Sequence, residues 1–269
     1  MTMGSKGILR IATALCGLLP SLALAADPVV LCPGQVVYPS PDGRVLGHIP
    51  YPETPASELV SAPRGFAIGL PCQVQRDVLP DLTRLLAAAA AAPGVGPRLR
   101  AVSCFRSIAH QRSVFCSQIG PHRKCRDAAE RARSVGPPGH SEHSTGYAID
   151  FGIRPEAGCG DVNPCMAMTP TGQWLLAHAR EFGFELSFPV GNAQGVTWEP
   201  WHWRWVGTTV TAPGAVKARL AFTRARTNFP ANPGINDVSD YWLIPPRSVI
   251  APPVAPPATS PFITLPPSP

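Results

Sequence analysis

The chain has 269 residues, 45% hydrophobic and only 15% charged, with a net charge of +6 from 23 basic and 17 acidic side chains. That balance excludes a disordered polyelectrolyte and a coiled coil. The weak positive excess, without a Lys/Arg run or interleaved aromatics, gives no case for nucleic acid, and no run of 18 apolar residues predicts a membrane span.

Residues 1–25 read as a secretory leader. Lys6 and Arg10 supply the positive start, Ile11 to Leu19 is a short apolar run, and Ala23-Leu24-Ala25 suits cleavage. Export places the protein in a periplasmic or wall-associated setting, where disulfides are the default use of cysteine. The spacing suggests Cys116 with Cys125, Cys159 with Cys165 and Cys32 with Cys72, leaving Cys104 buried and single. No Cys-x-x-Cys occurs, which weakens a structural zinc site.

Residues 26–64 form a Pro-rich N-terminal segment. Within it, Gln35–Tyr38 and Arg44–Ile49 flank Pro41-Asp42-Gly43, the signature of a hairpin. A Leu- and Ala-rich helix is expected from Asp77 to Ala92, stopped by Pro93-Gly94. A strand follows over 98–105, then a helix capped by Ser107 and running to about Gln118. A shorter helix covers 126–133. Tyr147 to Ile153 reads as a strand, Thr169 or Thr171 caps a helix to Phe182, and 184–188 is a strand. Trp201, Trp203 and Trp205 alternate with His202 and Arg204 at strand period. Helices and strands mix without regular βαβ order, so an α+β fold is expected, with a small antiparallel sheet flanked by helices. The core domain spans 65–207. A 208–244 extension holds a basic surface helix from about 215, and ten prolines make 245–269 a tail that cannot pack a core.

One cluster carries chemistry: Gly139-His140-Ser141-Glu142-His143-Ser144-Thr145-Gly146-Tyr147-Ala148-Ile149-Asp150. A second is Trp198-Glu199-Pro200-Trp201-His202-Trp203-Arg204. A catalytic zinc takes three protein ligands and keeps an open position. His143 and Asp150 can meet where a loop enters a strand, and His202 on a neighbouring strand completes the set. In a regular strand Glu199 and His202 would face opposite ways; a bend at Pro200 turns both inward and sets Glu199 beside the metal as a general base. His140 has a plainer reading as a loop residue, Glu142 as a solvated charge, Asp150 as a strand-end cap, Arg106 as a surface cation, and the Trp stripe, Trp201 included, as core or pocket wall. Only Lys6, Lys124 and Lys217 occur, and none follows a Ser by three positions, so a Ser-x-x-Lys wall peptidase is excluded.

Ser141-x-His143-x-x-Gly146-x-Ala148-x-Asp150 resembles the Ser-x-His-x-x-Gly-x-Ala-x-Asp motif of the zinc D-alanyl-D-alanine peptidases of the VanY and VanX type. Glu199-Pro200-Trp201-His202 is similar to their Glu-x-x-His motif. Ser103-Cys104-Phe105-Arg106-Ser107 with Gln111 resembles their upstream Ser-Gly-Tyr-Arg-Ser…Gln segment, with Cys-Phe in place of Gly-Tyr. The resemblance implies a Zn²⁺ cofactor on His143, Asp150 and His202, with Glu199 as base and Arg106 stabilising the oxyanion. Ser141, Gln111 and Trp201 would meet the substrate, a peptidoglycan stem peptide ending in D-Ala-D-Ala. The implied fold is the small zinc fold shared with the Hedgehog signalling domain, here expected as a monomer. Endopeptidase or L,D-carboxypeptidase action, or zinc-stabilised wall binding without turnover, are the alternatives.

Overall fold

The structure, a computed structural model, describes residues 27–156 and 158–235. The expected leader over 1–25 and the Pro-rich tail over 245–269 lie outside them. In chain order the elements are β1 (Val29–Cys32), β2 (Gln35–Val37), β3 (Leu59–Ser61), β4 (Gln73–Gln75), α1 (Leu79–Ala91), β5 (Leu99–Ser103), α2 (Ile108–Cys116), α3 (Ala128–Ala132), β6 (Ala148–Ile153), α4 (Pro170–His178), β7 (Phe184–Leu186), β8 (His202–Trp205) and α5 (Ala215–Asn228). They fall into two compact units. Of the described residues, one takes in 27–53 together with Ser107–Ser141, the other Thr54–Arg106 and the chain from Glu142 to Ile235.

The first unit holds β1, β2, α2 and α3. Its hairpin lies earlier than the sequence suggests. β1 and β2 pair antiparallel across Pro33-Gly34, with Gly34 at φ 73°. The turn at Ser40–Gly43 forms, the Gly43 N–H donating to the Ser40 carbonyl at 2.7 Å, but no strand follows. Leu46 and Gly47 both take positive φ, and Val45 and His48 close on each other instead. The core here is small, built on Leu31, Val45, Phe115, Ala128 and Ala132. Ser107 caps α2, its hydroxyl accepting from the His110 N–H at 3.1 Å.

The second unit is built on a four-stranded sheet in the order β5-β6-β8-β7, antiparallel throughout. This is the expected α+β architecture. β8 is buried along its whole length. Trp203 pairs with Ile149 on one face, while His202 pairs with Asp150 and Arg204 with Ala148 on the other. On the apolar side Phe151 meets Phe66 and Phe184 edge-on, ring centroids 6.0 Å apart in each case. Leu82 and Leu85 of α1 are fully buried; truncating a side chain of this kind typically costs about 2–5 kcal/mol. α4 opens on Thr169, whose hydroxyl accepts from the Gly172 N–H at 3.0 Å, and a short 3-10 turn carries the chain to Gly183 at φ 82°. α5 is not a surface helix: Ala218, Phe222 and Ala225 are buried, and so is Arg219.

Two of the three sequence-based cysteine pairings are corrected. The disulfides are Cys32–Cys116, Cys72–Cys104 and Cys159–Cys165. Leu31 and Phe115 share one apolar cluster, which brings their neighbours Cys32 and Cys116 together. The Phe105 N–H donates to the Gln73 carbonyl at 2.9 Å, and that backbone pairing sets Cys72 beside Cys104. Cys125 keeps its thiol and is buried.

Candidate metal centre

Asp150 and His202 are cross-strand partners on β6 and β8. Antiparallel register alone puts their side chains on one face. His143 arrives from the 3-10 turn Glu142–Thr145, which leads into β6. That turn is held from several sides. The Arg106 N–H donates to the His143 carbonyl at 3.2 Å, the Thr54 N–H to the Ser144 carbonyl at 2.9 Å, and the Thr54 hydroxyl to the Thr145 carbonyl at 2.7 Å. Gly146 exits the turn at φ +69°, where a Cβ would come within 2.9 Å of Leu59 and 3.3 Å of Gln75. Both the positive φ and the close passage of β3 and β4 require glycine at this motif position.

The side chains converge. His143 Nε2 is 3.1 Å from one Asp150 oxygen, and His202 Nδ1 is 2.9 Å from the other. One ligand atom from each of the three residues lies within 4.8 Å of the others. A tetrahedral ion with bonds of about 2.1 Å sets its donors about 3.4 Å apart, so the trio is of the right size. The far ring nitrogens are committed elsewhere. His143 Nδ1 sits 2.7 Å from the Cys104 carbonyl, which makes it the N–H donor and leaves Nε2 with a lone pair. His143 Nε2 is buried and makes no hydrogen bond. His202 Nε2 lies 3.0 Å from Glu142 Oε2, so that nitrogen is tied outward while Nδ1 points inward to Asp150. Metal-binding histidines are oriented by such outer partners, a backbone carbonyl and a carboxylate. The residues therefore fit a metal of the zinc type.

For His143 and Asp150 the electrostatics agree with a ligand role. Burial, and then Arg106, push the His143 imidazole down to about 4, so it is neutral as a ligand must be. Burial would raise Asp150, yet the two histidines hold it far below the usual carboxylate range. Burial would lower His202, but hydrogen bonds to Asp150 and Glu142 lift it to about 10, so the metal-free ring is held protonated and a metal that binds there must displace the Nδ1 proton.

Glu199 approaches from the bend before β8. The His202 N–H closes that bend on the Glu199 carbonyl at 3.0 Å, as expected from Pro200. Glu199 Oε2 is 3.9 Å from His202 Nδ1. The carboxyl is 6% exposed, and burial pushes it up to about 8. Arg106 acts on Glu199 and His143 electrostatically and is only half-buried. Trp201 is buried next to His202. Gln111 and Ser141 belong to the first unit; both are buried, and the Gln111 side-chain amide donates to the Gly136 carbonyl at 2.7 Å.

Glu142 is the residue the sequence misjudges. It is 3% exposed, not solvated. Its carboxylate accepts from His202, from Arg204 at 2.8 Å and from the Ser187 hydroxyl at 2.6 Å. Burial opposes the charge, but Arg204 and His202 outweigh it and hold the carboxyl well below its ordinary range. Phe188 closes over His202, ring centroids 4.8 Å apart. The one legible signal for Glu142 was its place beside His143 on a chain segment that must face the centre.

Two inward imidazoles and a carboxylate could hold a metal ion, with a high-pKa carboxyl beside them. The family model for VanY, D-alanyl-D-alanine carboxypeptidase, matches residues 72–208, and the chain belongs to that family. YodJ of Bacillus subtilis (strain 168), named as a carboxypeptidase, is 34% identical over 122 residues, which are 44% of this chain and 41% of YodJ. The bifunctional D-Ala-D-Ala dipeptidase and carboxypeptidase VanXYC of Enterococcus gallinarum is 28% identical over 118 residues, 43% of this chain and 60% of that protein. The matched stretch is thus about half the length of these relatives. The LdcB LD-carboxypeptidase shares the fold at 22% identity and a TM-score of 0.51, over 69% of this chain and 81% of that one.

Proposed function

We propose that the protein is a zinc-dependent carboxypeptidase that removes the terminal D-Ala from peptidoglycan stem peptides ending in D-Ala-D-Ala. The observation that carries this reading is the pairing of a buried metal-ligand trio with Glu199, a carboxyl held 3.9 Å from His202 and pushed up to about 8. VanY membership supports a substrate of this class. Zinc, held by His143, Asp150 and His202, would acidify a water and polarise the scissile carbonyl.

The chain's own residues do the rest. Glu199 takes the proton of the attacking water and delivers it to the leaving amine as the C–N bond breaks, so one group serves as base and then as acid. A carboxyl with a raised pKa is suited to both roles near neutral pH. The Arg106 guanidinium, fully charged and rigidly forked, faces the negative charge growing on the carbonyl oxygen. Glu142 and the Cys104 carbonyl keep the two imidazoles in their tautomers.

Mass spectrometry of stem peptides tests this reading. Incubation with a pentapeptide ending in D-Ala-D-Ala should release one alanine, and a chelator should stop the release. Release only from the tetrapeptide would make it an L,D-carboxypeptidase. Cleavage only of cross-linked dimers would make it an endopeptidase. Peptidoglycan binding with no product would leave a wall-binding protein.

A further inference from the structure

The polar chain behind the metal centre continues past Glu142. Arg204 spans two buried carboxylates, donating one terminal N–H to Glu142 at 2.8 Å and its Nε–H to Glu185 Oε1 at 2.8 Å. Glu185 is on β7 and is 2% exposed. A second cation reaches it from α5: Arg226 Nε–H donates to the same Glu185 oxygen at 3.2 Å. The other end of Arg226 donates to the Ile235 carbonyl at 2.7 Å, and the Ile235 N–H donates to Glu185 Oε2 at 3.3 Å. The Phe222 ring of α5 lies under the Arg204 guanidinium, 5.3 Å away. Arg226, Phe222 and Ile235 all stand beyond residues 72–208, the part of the chain that matches the family.

We propose that α5 is part of the catalytic apparatus, and that Arg226, acting through Glu185 and Arg204, is a positioning residue for the metal ligand His202. The inference rests on reading His143, Asp150 and His202 as a metal site. The physical reason is charge balance away from water. Two buried carboxylates, Glu142 and Glu185, hydrogen-bond two guanidinium groups, Arg204 and Arg226, and the buried Arg219 lies within electrostatic reach of Glu185 without a hydrogen bond to it. A buried charge that loses its partner is strongly unfavourable. Without Arg226, Arg204 is the guanidinium that still hydrogen-bonds Glu185, Arg219 acting on it only from a distance, and it is drawn along its length toward β7. Its fork then releases Glu142, and the His202 ring loses the fixed acceptor that aims Nδ1 inward. Arg226 touches neither substrate nor ligand; its effect passes through three salt bridges, Arg226–Glu185, Glu185–Arg204 and Arg204–Glu142, before it reaches His202.

Removing Glu185 as well should undo the damage, because Arg204 then serves Glu142 alone. The experiment measures zinc affinity of the full chain by competition with a chromophoric chelator, alongside thermal melting of the metal-free protein. Arg226→Gln is expected to weaken zinc about 3- to 10-fold, less than the roughly 10- to 100-fold typical of a direct outer partner. The double variant Arg226→Gln, Glu185→Gln should return to within about twofold of wild type, a coupling that a double-mutant cycle reads directly. Leu220→Ala, exposed on the same helix, should leave zinc affinity at the wild-type value. Should Arg226→Gln not fold, Arg226→Lys, which keeps the charge but loses the fork, should weaken zinc by about two- to threefold. Wild-type affinity in whichever single variant folds, or a double variant no better than the single, overturns the inference while the metal reading stands. Wild type that binds no zinc overturns both.

Discussion

Glu142 and Glu199 flank opposite sides of the His202 ring, Glu199 on the side shared with Asp150, and the two glutamates are opposites. On one side Glu142 accepts hydrogen bonds from His202, Arg204 and Ser187 and is held as an ion. On the other, Glu199 is equally buried, yet burial outweighs the nearby positive groups and drives its pKa up to about 8. The lesson is that residue type and burial do not assign a role; the partners do. A carboxylate saturated with donors orients its neighbours. A desolvated one is poised to accept and return a proton, and a pair of like groups pushed apart in this way marks the acid–base residue.

The contrast can be broken first at Glu199. Glu199→Gln should lose about 100- to 10,000-fold in kcat while keeping zinc, because it removes a base and no ligand. Arg106 acts on Glu199's side of the ring. Arg106→Ala should lower kcat and kcat/KM equally, by about 100- to 1,000-fold, with zinc content and Tm little changed. If Arg106 were only a surface cation, its loss would be worth under about 1 kcal/mol and kinetics would not move. Glu142→Gln should behave differently from both: zinc affinity should fall about 10- to 100-fold, and the fold should weaken because Arg204 loses a buried counter-charge.

Stability against pH sharpens the same comparison. The folded pKa of Glu199 lies near 8, above the ordinary 4.5. The folded protein therefore prefers the protonated carboxyl, and that contribution to stability is fully present below pH 4.5 and lost as pH rises through 8. The effect is bounded by about 1.4 kcal/mol for each tenfold difference in proton affinity between the folded and unfolded chain. Metal-free Glu199→Gln should thus melt higher than metal-free wild type at pH 8, with the two curves converging toward pH 4.5. Glu142 has the opposite sign, its pKa being lowered: its contribution is present above pH 4.5 and lost as pH falls below it.

Much of this was legible in the sequence, and for definable reasons. Pro200 breaks the strand before His202, so a bend that turns Glu199 inward could be read directly, and it is present. The trio of His143, Asp150 and His202 could be read because a loop-to-strand entry and one antiparallel pairing suffice to bring it together. Glu142 could not, because its partners Arg204 and Ser187 lie 62 and 45 residues away and only the sheet register gathers them. The same holds for the cysteines. Cys159–Cys165 closes a local loop and was predictable. Cys72–Cys104 depends on a backbone pairing 32 residues apart, and Cys32–Cys116 on a cluster formed across 84. By loop entropy those two links stabilise by about 4 and 5 kcal/mol respectively. Thiol counting on the unfolded, non-reduced protein should find Cys125 as the one thiol that residues 27–235 contribute.

The central claim is that Glu199, and not Glu142, moves the proton at a zinc centre that releases D-alanine. The most direct measurement is D-alanine release from a D-Ala-D-Ala pentapeptide by wild type and Glu199→Gln, with zinc determined on the same samples. The account expects about one zinc per chain in both proteins and release from wild type alone. Undiminished release by Glu199→Gln, or loss of its zinc, would contradict it.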